Sequence, residues 1–188
     1  MDLAVGVPAA ARTRVELEGL IGCFITTLVI RARLDGLQSF RQLMRQCRDT
    51  CVAAFANQDV PFEHVVKAVC PERAHETTPL FRSMFAWHNG LPPSRDVGDL
   101  KWSITPLETG TALYDLEMTL FPDDGGIRGY LEYNADLFDA TTVKNLMCCF
   151  GHLLEAVVDN PDLPLWPAPV LGNGCSTRPL NRAEETHT

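Results

Sequence analysis

The sequence predicts an α/β fold, a mixed sheet with helices packed on it, and three stretches carry that reading. Ile21 to Arg33 is an almost unbroken, β-branched run, the pattern of a strand covered on both faces. Ser39 and Gln42 form a capping box, and Phe40, Leu43, Met44, Cys47, Cys51 and Phe55 then recur at helical spacing. Leu116, Met118 and Leu120 alternate with Glu117 and Thr119 up to "PDDGG", Pro122 to Gly126, and Ile127, Leu131 and Tyr133 carry the chain back: a hairpin.

The remaining elements fall around these. Asp2 to Val7 reads as a short strand ending at Pro8, and Ala9 to Leu20 as a loop or short helix bearing Arg12, Arg14, Glu16 and Glu18. Asp35-Gly36 turns the chain. On the long helix, Arg41, Arg45, Arg48 and Asp49 fill the face opposite the apolar stripe, a solvated surface. A second helix starts at Asp59, striped by Phe62, Val65, Val66 and Val69 and stopped by Cys70-Pro71. Leu80 to His88 reads as a strand, Asn89 to Arg95 as a proline loop and Lys101 to Leu107 as a weak strand. Asp139 caps a last helix with Val143, Leu146, Met147, Phe150, Leu154, Val157 and Val158 on one face, ended by Asn160-Pro161-Asp162. From Leu163 on, prolines and small polar residues read as linker.

Composition narrows the partners. Hydrophobic residues are 46% and charged residues 21%, ordinary for a globular chain, and 188 residues suffice for one domain or part of a larger one. Sixteen basic residues stand against 24 acidic ones, a net charge of −8. No basic stripe exists to displace counterions, which excludes a nucleic-acid backbone as partner. Ile21 to Ile30, the longest apolar run, is too short to span a bilayer, and the first residues lack the basic start of a signal peptide, so the expectation is a cytoplasmic chain without membrane contact. Seven cysteines occur at irregular spacing, without a C-x-x-C or a His at zinc spacing from a Cys. They read as reduced, buried, small apolar residues in preference to a metal site or redox pair.

Catalytic sets are absent. None of the five histidines is followed by an acid in H-x-x-x-D spacing, and His152 with Glu155 on one helix face supplies too few ligands for a metal site. There is no G-x-S-x-G elbow and no phosphate-binding glycine loop. "DDGG" at Asp123 to Gly126 lacks the alternating oxygens of a calcium loop and reads as a hairpin turn.

One short stretch stands apart: "NQDVPFEHVV", Asn57 to Val66. Asp59 can cap a helix, Pro61 suits its first turn, and Phe62 drives it into the core. Asn57 and Gln58 can satisfy backbone groups where two helices meet at a sharp corner.

"NQDVPFE" matches, at every fixed position, the H/N-Q-D-x-P-F-E motif of condensation domains in nonribosomal peptide synthetases. "IGCFITTLVIR", Ile21 to Arg31, resembles the family's I-G-x-F-V-N-T motif with a downstream Arg, with Thr26 in place of the usual Asn. "PERAHETTPLFRSMF", Pro71 to Phe85, resembles R-D-x-S-R-x-P-L-F: Arg73, Pro79, Leu80 and Phe81 are kept, while Ala74 and Thr77 replace the usual Asp and Arg. "YDLEMTL" and "GGIRGYLEYNADLFDATTV" look like the family's late hairpin and last helix. The resemblance runs from about Asp2 to Leu171.

The resemblance implies a chloramphenicol-acetyltransferase-like fold of two lobes with a tunnel between them. The catalytic H-H-x-x-x-D-G motif of the family belongs to the N-terminal lobe and does not occur in this sequence. Residues 1–171 therefore look like the C-terminal lobe alone, inactive by itself, and residues 172–188 like a disordered linker toward an adenylation domain. Thr26, Thr27, Asn57, Gln58, Asp59, Pro61, Phe62 and Glu63 fall near the lobe interface or tunnel, supporting the site without performing the reaction. By motif order, Asn89 to Thr111 would latch onto the other lobe and Ala9 to Leu20 would floor the tunnel. The implied partners are the N-terminal condensation lobe and the donor and acceptor carrier proteins. No cofactor or metal is bound directly, and the substrates ride on phosphopantetheine arms. The alternative is a free-standing, non-catalytic module that binds carrier proteins or a partner lobe.

Overall fold

The computed structural model describes residues 1–73, 79–89, 95–97, 99–102, 110–123 and 126–165. In chain order the elements are β1 (Asp2–Ala9), α1 (Val15–Glu18), β2 (Thr26–Arg33), α2 (Phe40–Ala56), α3 (Phe62–Val69), a 3-10 turn (Pro71–Arg73), β3 (Ser83–Trp87), β4 (Arg95–Val97), β5 (Leu100–Trp102), β6 (Leu116–Asp123), β7 (Gly126–Tyr133) and α4 (Ala140–Asp159). Five strands form one mixed sheet in the order β2-β1-β3-β6-β7. Its two outer pairs are antiparallel and its two inner pairs parallel. The antiparallel pairs are local in sequence; the parallel ones need crossovers, which the helices supply.

The strand boundaries differ from expectation at the N-terminal end. β1 runs through Pro8 to Ala9, with Pro8 opposite Thr27. Pairing with β3 involves only Val5 and Gly6, so at Pro8 that flank of β1 has no ladder partner and a missing N–H is tolerated. β2 starts at Thr26, five residues later than its apolar run suggests. It is an edge strand with one covered face: Leu28 and Ile30 are buried, Arg31 and Arg33 exposed. The continuous apolar run therefore joins an exposed loop to a half-covered strand and does not mark a strand covered twice.

α2 begins at the expected capping box: the Gln42 N–H donates to Ser39 Oγ, and Gln42 Oε1 accepts from the Ser39 N–H at 2.8 Å. It packs against β2. Its half-buried face is Leu43, Gln46, Cys47, Thr50, Cys51 and Ala54. Met44 and Phe55, expected inward, are exposed with Val52 beside the arginines, because the covered stripe is rotated by about one position. α4 keeps its expected cap, with Thr142 N–H donating to Asp139 at 2.7 Å, and buries Val143 and Val157; Leu146, Leu154 and Val158 remain exposed. Beyond α4 the chain returns to the start of α2. Leu165 N–H donates to Gln38 O and Arg41 N–H to Pro161 O, each at 2.9 Å, and the Arg41 guanidinium grips Asp162 bidentately.

The small hairpin of β4 and β5 places Arg95 in a strand where a loop was expected, and the weak strand starts at Leu100. Residues 90–94, 98 and 103–109, which together make up most of the expected latch, and the expected linker, residues 172–188, lie outside the described residues. Five of the described cysteines are free, with Cys23 and Cys148 exposed, and Cys149 is disulfide-bonded, so the reading as uniformly reduced and buried does not hold. Among the described residues no helix is long and apolar enough to cross a membrane.

Candidate functional site

The Asn57–Glu63 stretch is a corner closed by its own side chains. α2 ends at Asn57, leaving the carbonyls of its last turn without helical partners. Asn57 Nδ2 donates to Ala53 O at 2.9 Å and Gln58 Nε2 to Phe55 O at 3.0 Å, while Val60 N–H reaches Asn57 O. The two amides thus do the work expected of them. Asp59 does not. The N-cap of α3 is Pro61, which offers no side-chain acceptor, and no side chain caps the helix. Asp59 precedes the N-cap by two residues, too far from the free N–H groups of the first turn. Its carboxylate faces solvent and the adjoining cavity instead.

Phe62 fixes the corner to the sheet. Its ring meets Phe81 at 5.8 Å between centroids, tilted by 57°, and Phe81 in turn meets Tyr114 at 5.6 Å. The Phe81 ring lies directly over Gly6 of β1, where an added Cβ would come within 2.3 Å of it. Val66, 3% exposed, anchors the next turn of α3. Two of the sequence's motif stretches are therefore joined physically, through Phe62 on one and Phe81 on the other.

Between this corner and the start of β2 is an open cavity of about 410 Å³. Seven of the eight predicted residues line it: Thr26, Thr27, Gln58, Asp59, Pro61, Phe62 and Glu63. Asn57 does not, since its amide is turned back onto α2. Ala11 and Ile25 complete the wall. Ala11 holds a left-handed backbone, φ 48°, which nothing in its residue type announces. Its neighbour Arg12 organises the loop: the guanidinium donates to Leu17 O and Gly22 O and stands 4.3 Å over the Phe24 ring. That clamp brings the two ends of the 11–25 loop to the same rim, and an Arg in a loop-like stretch gave no sign of it.

Chemically the cavity offers two hydroxyls, one amide, two carboxylates and an aromatic edge. Among the described residues its lining includes no His, Cys or Lys. Those residues can hold and orient a polar chain but include no group suited to exchanging a proton near neutral pH. Among the described residues, the acid whose pKa is raised lies elsewhere. Glu117 on β6 sits directly opposite Glu132 on β7, and burial together with that second carboxylate raises its pKa, while His88 pulls the other way. Burial and Glu117 also raise the Tyr114 hydroxyl.

The condensation-domain family model matches residues 1–168. The chain belongs to the condensation-domain family. Its relatives are peptide synthetases: it is 38% identical over 172 residues to a linear gramicidin synthase of Brevibacillus parabrevis, covering 90% of this chain and 3% of that protein. It is also 38% identical over 169 residues to the phosphinothricin tripeptide synthetase of Streptomyces viridochromogenes, 87% of this chain and 14% of that one. This condensation-domain chain thus spans a small part of the length of the curated relatives it matches. Among solved structures it superposes on a four-domain nonribosomal peptide synthetase with a TM-score of 0.82 at 24% identity, covering 92% of this chain and 14% of that one. The X-domain from teicoplanin biosynthesis gives 0.74 at 25% identity, covering 87% and 38%. The fold is chloramphenicol-acetyltransferase-like, as the motifs implied, and the mixed sheet carries it.

Proposed function

We propose that this chain supplies the C-terminal lobe of a condensation-domain tunnel in which an amide bond forms between carrier-bound aminoacyl or peptidyl thioesters. In that reaction the amine nitrogen of one carrier-bound residue attacks the thioester carbonyl carbon of the other. The C–N bond forms, the C–S bond breaks, and the phosphopantetheine sulfur leaves as a thiol with the proton the amine gives up. The observation that carries the reading is the cavity. Two stretches far apart in sequence, Thr26–Thr27 and Gln58–Glu63, each within a condensation motif, meet there on one wall. Coverage of 38% of the X-domain chain supports a contribution of one part of a two-lobed tunnel.

On this reading Thr26, Thr27, Gln58, Asp59 and Glu63 line the path of a phosphopantetheine arm or its cargo, while Asn57, Pro61 and Phe62 hold the corner in place. The proton is handled by the partner lobe's histidine motif, since H-H-x-x-x-D-G does not occur in these 188 residues. The partners are that N-terminal lobe and the donor and acceptor carrier proteins; no cofactor binds this lobe directly.

The test combines the chain with loaded donor and acceptor carriers, with and without a lobe bearing H-H-x-x-x-D-G, and follows dipeptidyl-carrier formation by intact-protein mass spectrometry. The chain alone gives none, because half a tunnel supplies neither the base nor the alignment of the two arms. The two lobes together give product, and Thr27→Trp, which fills the cavity, suppresses it. Product from the chain alone would overturn the proposal. Carrier binding with no product from the pair would favour a non-catalytic binding module.

A further inference from the structure

The outer side of α4 carries a pair of donors that neither the fold nor the proposed reaction uses. Cys148 and His152 stand one helical turn apart and both are exposed, with Cys148 Sγ 4.0 Å from His152 Nδ1. Cys148 is a free thiol. The spacing of the pair, C-x-x-x-H, is not that of the short zinc motifs and brings its two donors together only on a helix face. Glu155, also exposed, follows His152 by three residues and so lies on the same side of the helix.

Donors at i and i+4 on one helix face are the arrangement by which a helix chelates zinc through two histidines; here a thiol takes the place of one imidazole. A tetrahedral metal about 2.3 Å from sulfur and about 2.0 Å from nitrogen holds those donors roughly 3.5 Å apart. The observed 4.0 Å is close enough for a small side-chain rotation to close the bite, and exposure leaves both side chains free to make it. A thiolate with an imidazole selects zinc-class metals over magnesium or calcium, which prefer oxygen.

We propose that Cys148 and His152 chelate a zinc-class divalent cation on the surface of α4, with Glu155 placed to serve as a third ligand and water completing the shell. Among the described residues no three metal-ligating side chains already converge, so the site is open and exchangeable, unlike a closed structural zinc site. The cation displaces the Cys148 thiol proton, so binding weakens as pH falls. The net charge of −8 favours any cation near the chain. The site is independent of the cavity and of the condensation reaction.

The experiment is a titration of the 188-residue chain with Co²⁺, followed by the near-ultraviolet absorption that a thiolate–cobalt bond produces, then displacement by Zn²⁺. The expected result is a saturable band in the natural chain that Zn²⁺ abolishes. Cys148→Ser and His152→Ala each lose it, Glu155→Gln weakens it, and Cys23→Ser, at the other exposed thiol among the described residues, leaves it intact. All four positions are exposed, so the helical circular-dichroism signal stays unchanged and reports folding separately. Absence of the band in the natural chain, its survival in Cys148→Ser, or its loss only in Cys23→Ser would each overturn the assignment.

Discussion

Gly6, Phe81 and Phe62 show how single residues set the site. Glycine at position 6 leaves the space that the Phe81 ring fills, and an alanine there would put a Cβ 2.3 Å from the ring edge. Gly6→Ala should therefore cost about 1–3 kcal/mol by overpacking, while Phe81→Ala, removing a ring only 5% exposed, should cost about 3–5 kcal/mol. Phe62 is half-buried, so Phe62→Ala costs less than Phe81→Ala, and Asp59→Ala, with no cap to lose, stays within about 0.5 kcal/mol. Urea melts give the order directly; a cost at Asp59 matching Phe62 would refute the corner as described. Glu117 makes a separate prediction. A carboxyl whose folded pKa is raised above its unfolded value of 4.5 favours the protonated fold, so it costs no stability below that value and an increasing amount as pH rises through the raised one. Glu117→Gln should then stabilise the chain at neutral pH and have little effect at pH near 4, with the difference read from melts across that range. Equal effects at both pH values would mean that Glu132 and burial do not act on it as charge.

At the scale of elements, the caps were the most legible features and the faces the least. Ser39–Gln42 and Asp139 were readable because an N-cap is a local arrangement of residue type and spacing, and both form as read. Asp59 failed by the same logic: with Pro61 two residues on, the helix starts later and the acid is left outside. The rotation of α2 was not legible, since Met44, Phe55 and Val52 are as apolar as Leu43 and Cys47 and only the position of β2 decides which are covered. The extent of β2 was hidden for a related reason: Ile21 and Ile25 belong to a loop held by Arg12, not by a strand partner. The cavity was legible in part. Its motif residues could be named, but Ala11 and Ile25 come from a clamp that has no sequence signature. The caps are also testable. Ser39→Ala should cost about 1 kcal/mol. At Asp139, the Thr142 N–H holds the carboxyl below its ordinary value of 3.8, so its contribution is present above that pH and is lost as pH falls through the lowered one. Asp139→Asn keeps an acceptor, so it should leave neutral-pH stability nearly unchanged and flatten the acid limb, whereas Asp139→Ala lowers stability at neutral pH. An unchanged acid limb in the Asn variant would show that the cap does not depend on charge.

At the scale of the whole molecule, the described residues show little covered core for their apolar content. Among the described residues no large side chain is completely buried, and Leu28, Ile30, Val66, Phe81 and Met84 are the bulkiest side chains of the sheet and α3 that come close. On the 11–25 loop, whose end residues Ala11 and Ile25 line the cavity, the balance is reversed: Val15, Leu20, Ile21 and Ile25 are all exposed, Ile21 at 104% and Ile25 at 69%. They sit on the loop that Arg12 clamps, so they are held as a group and cannot fold back on themselves. On the proposed reading of the chain as one lobe of a tunnel, such a patch is what it would present without its partner, and exposed apolar groups of this size drive association. The chain alone should therefore self-associate, with a light-scattering mass above the monomer's 20.8 kDa that rises with concentration. Leu20→Glu with Ile21→Glu should return it toward the monomer while moving the urea midpoint little, because neither side chain packs against the core and surface changes of this kind stay within about 0.5 kcal/mol. Adding the partner lobe should have the same effect on the unmodified chain and none on the double variant, whose docking surface is now charged. A natural chain that is monodisperse at all concentrations would refute the idea that this loop is an uncovered interface, and a double variant still bound by the partner lobe would place that interface elsewhere on the sheet.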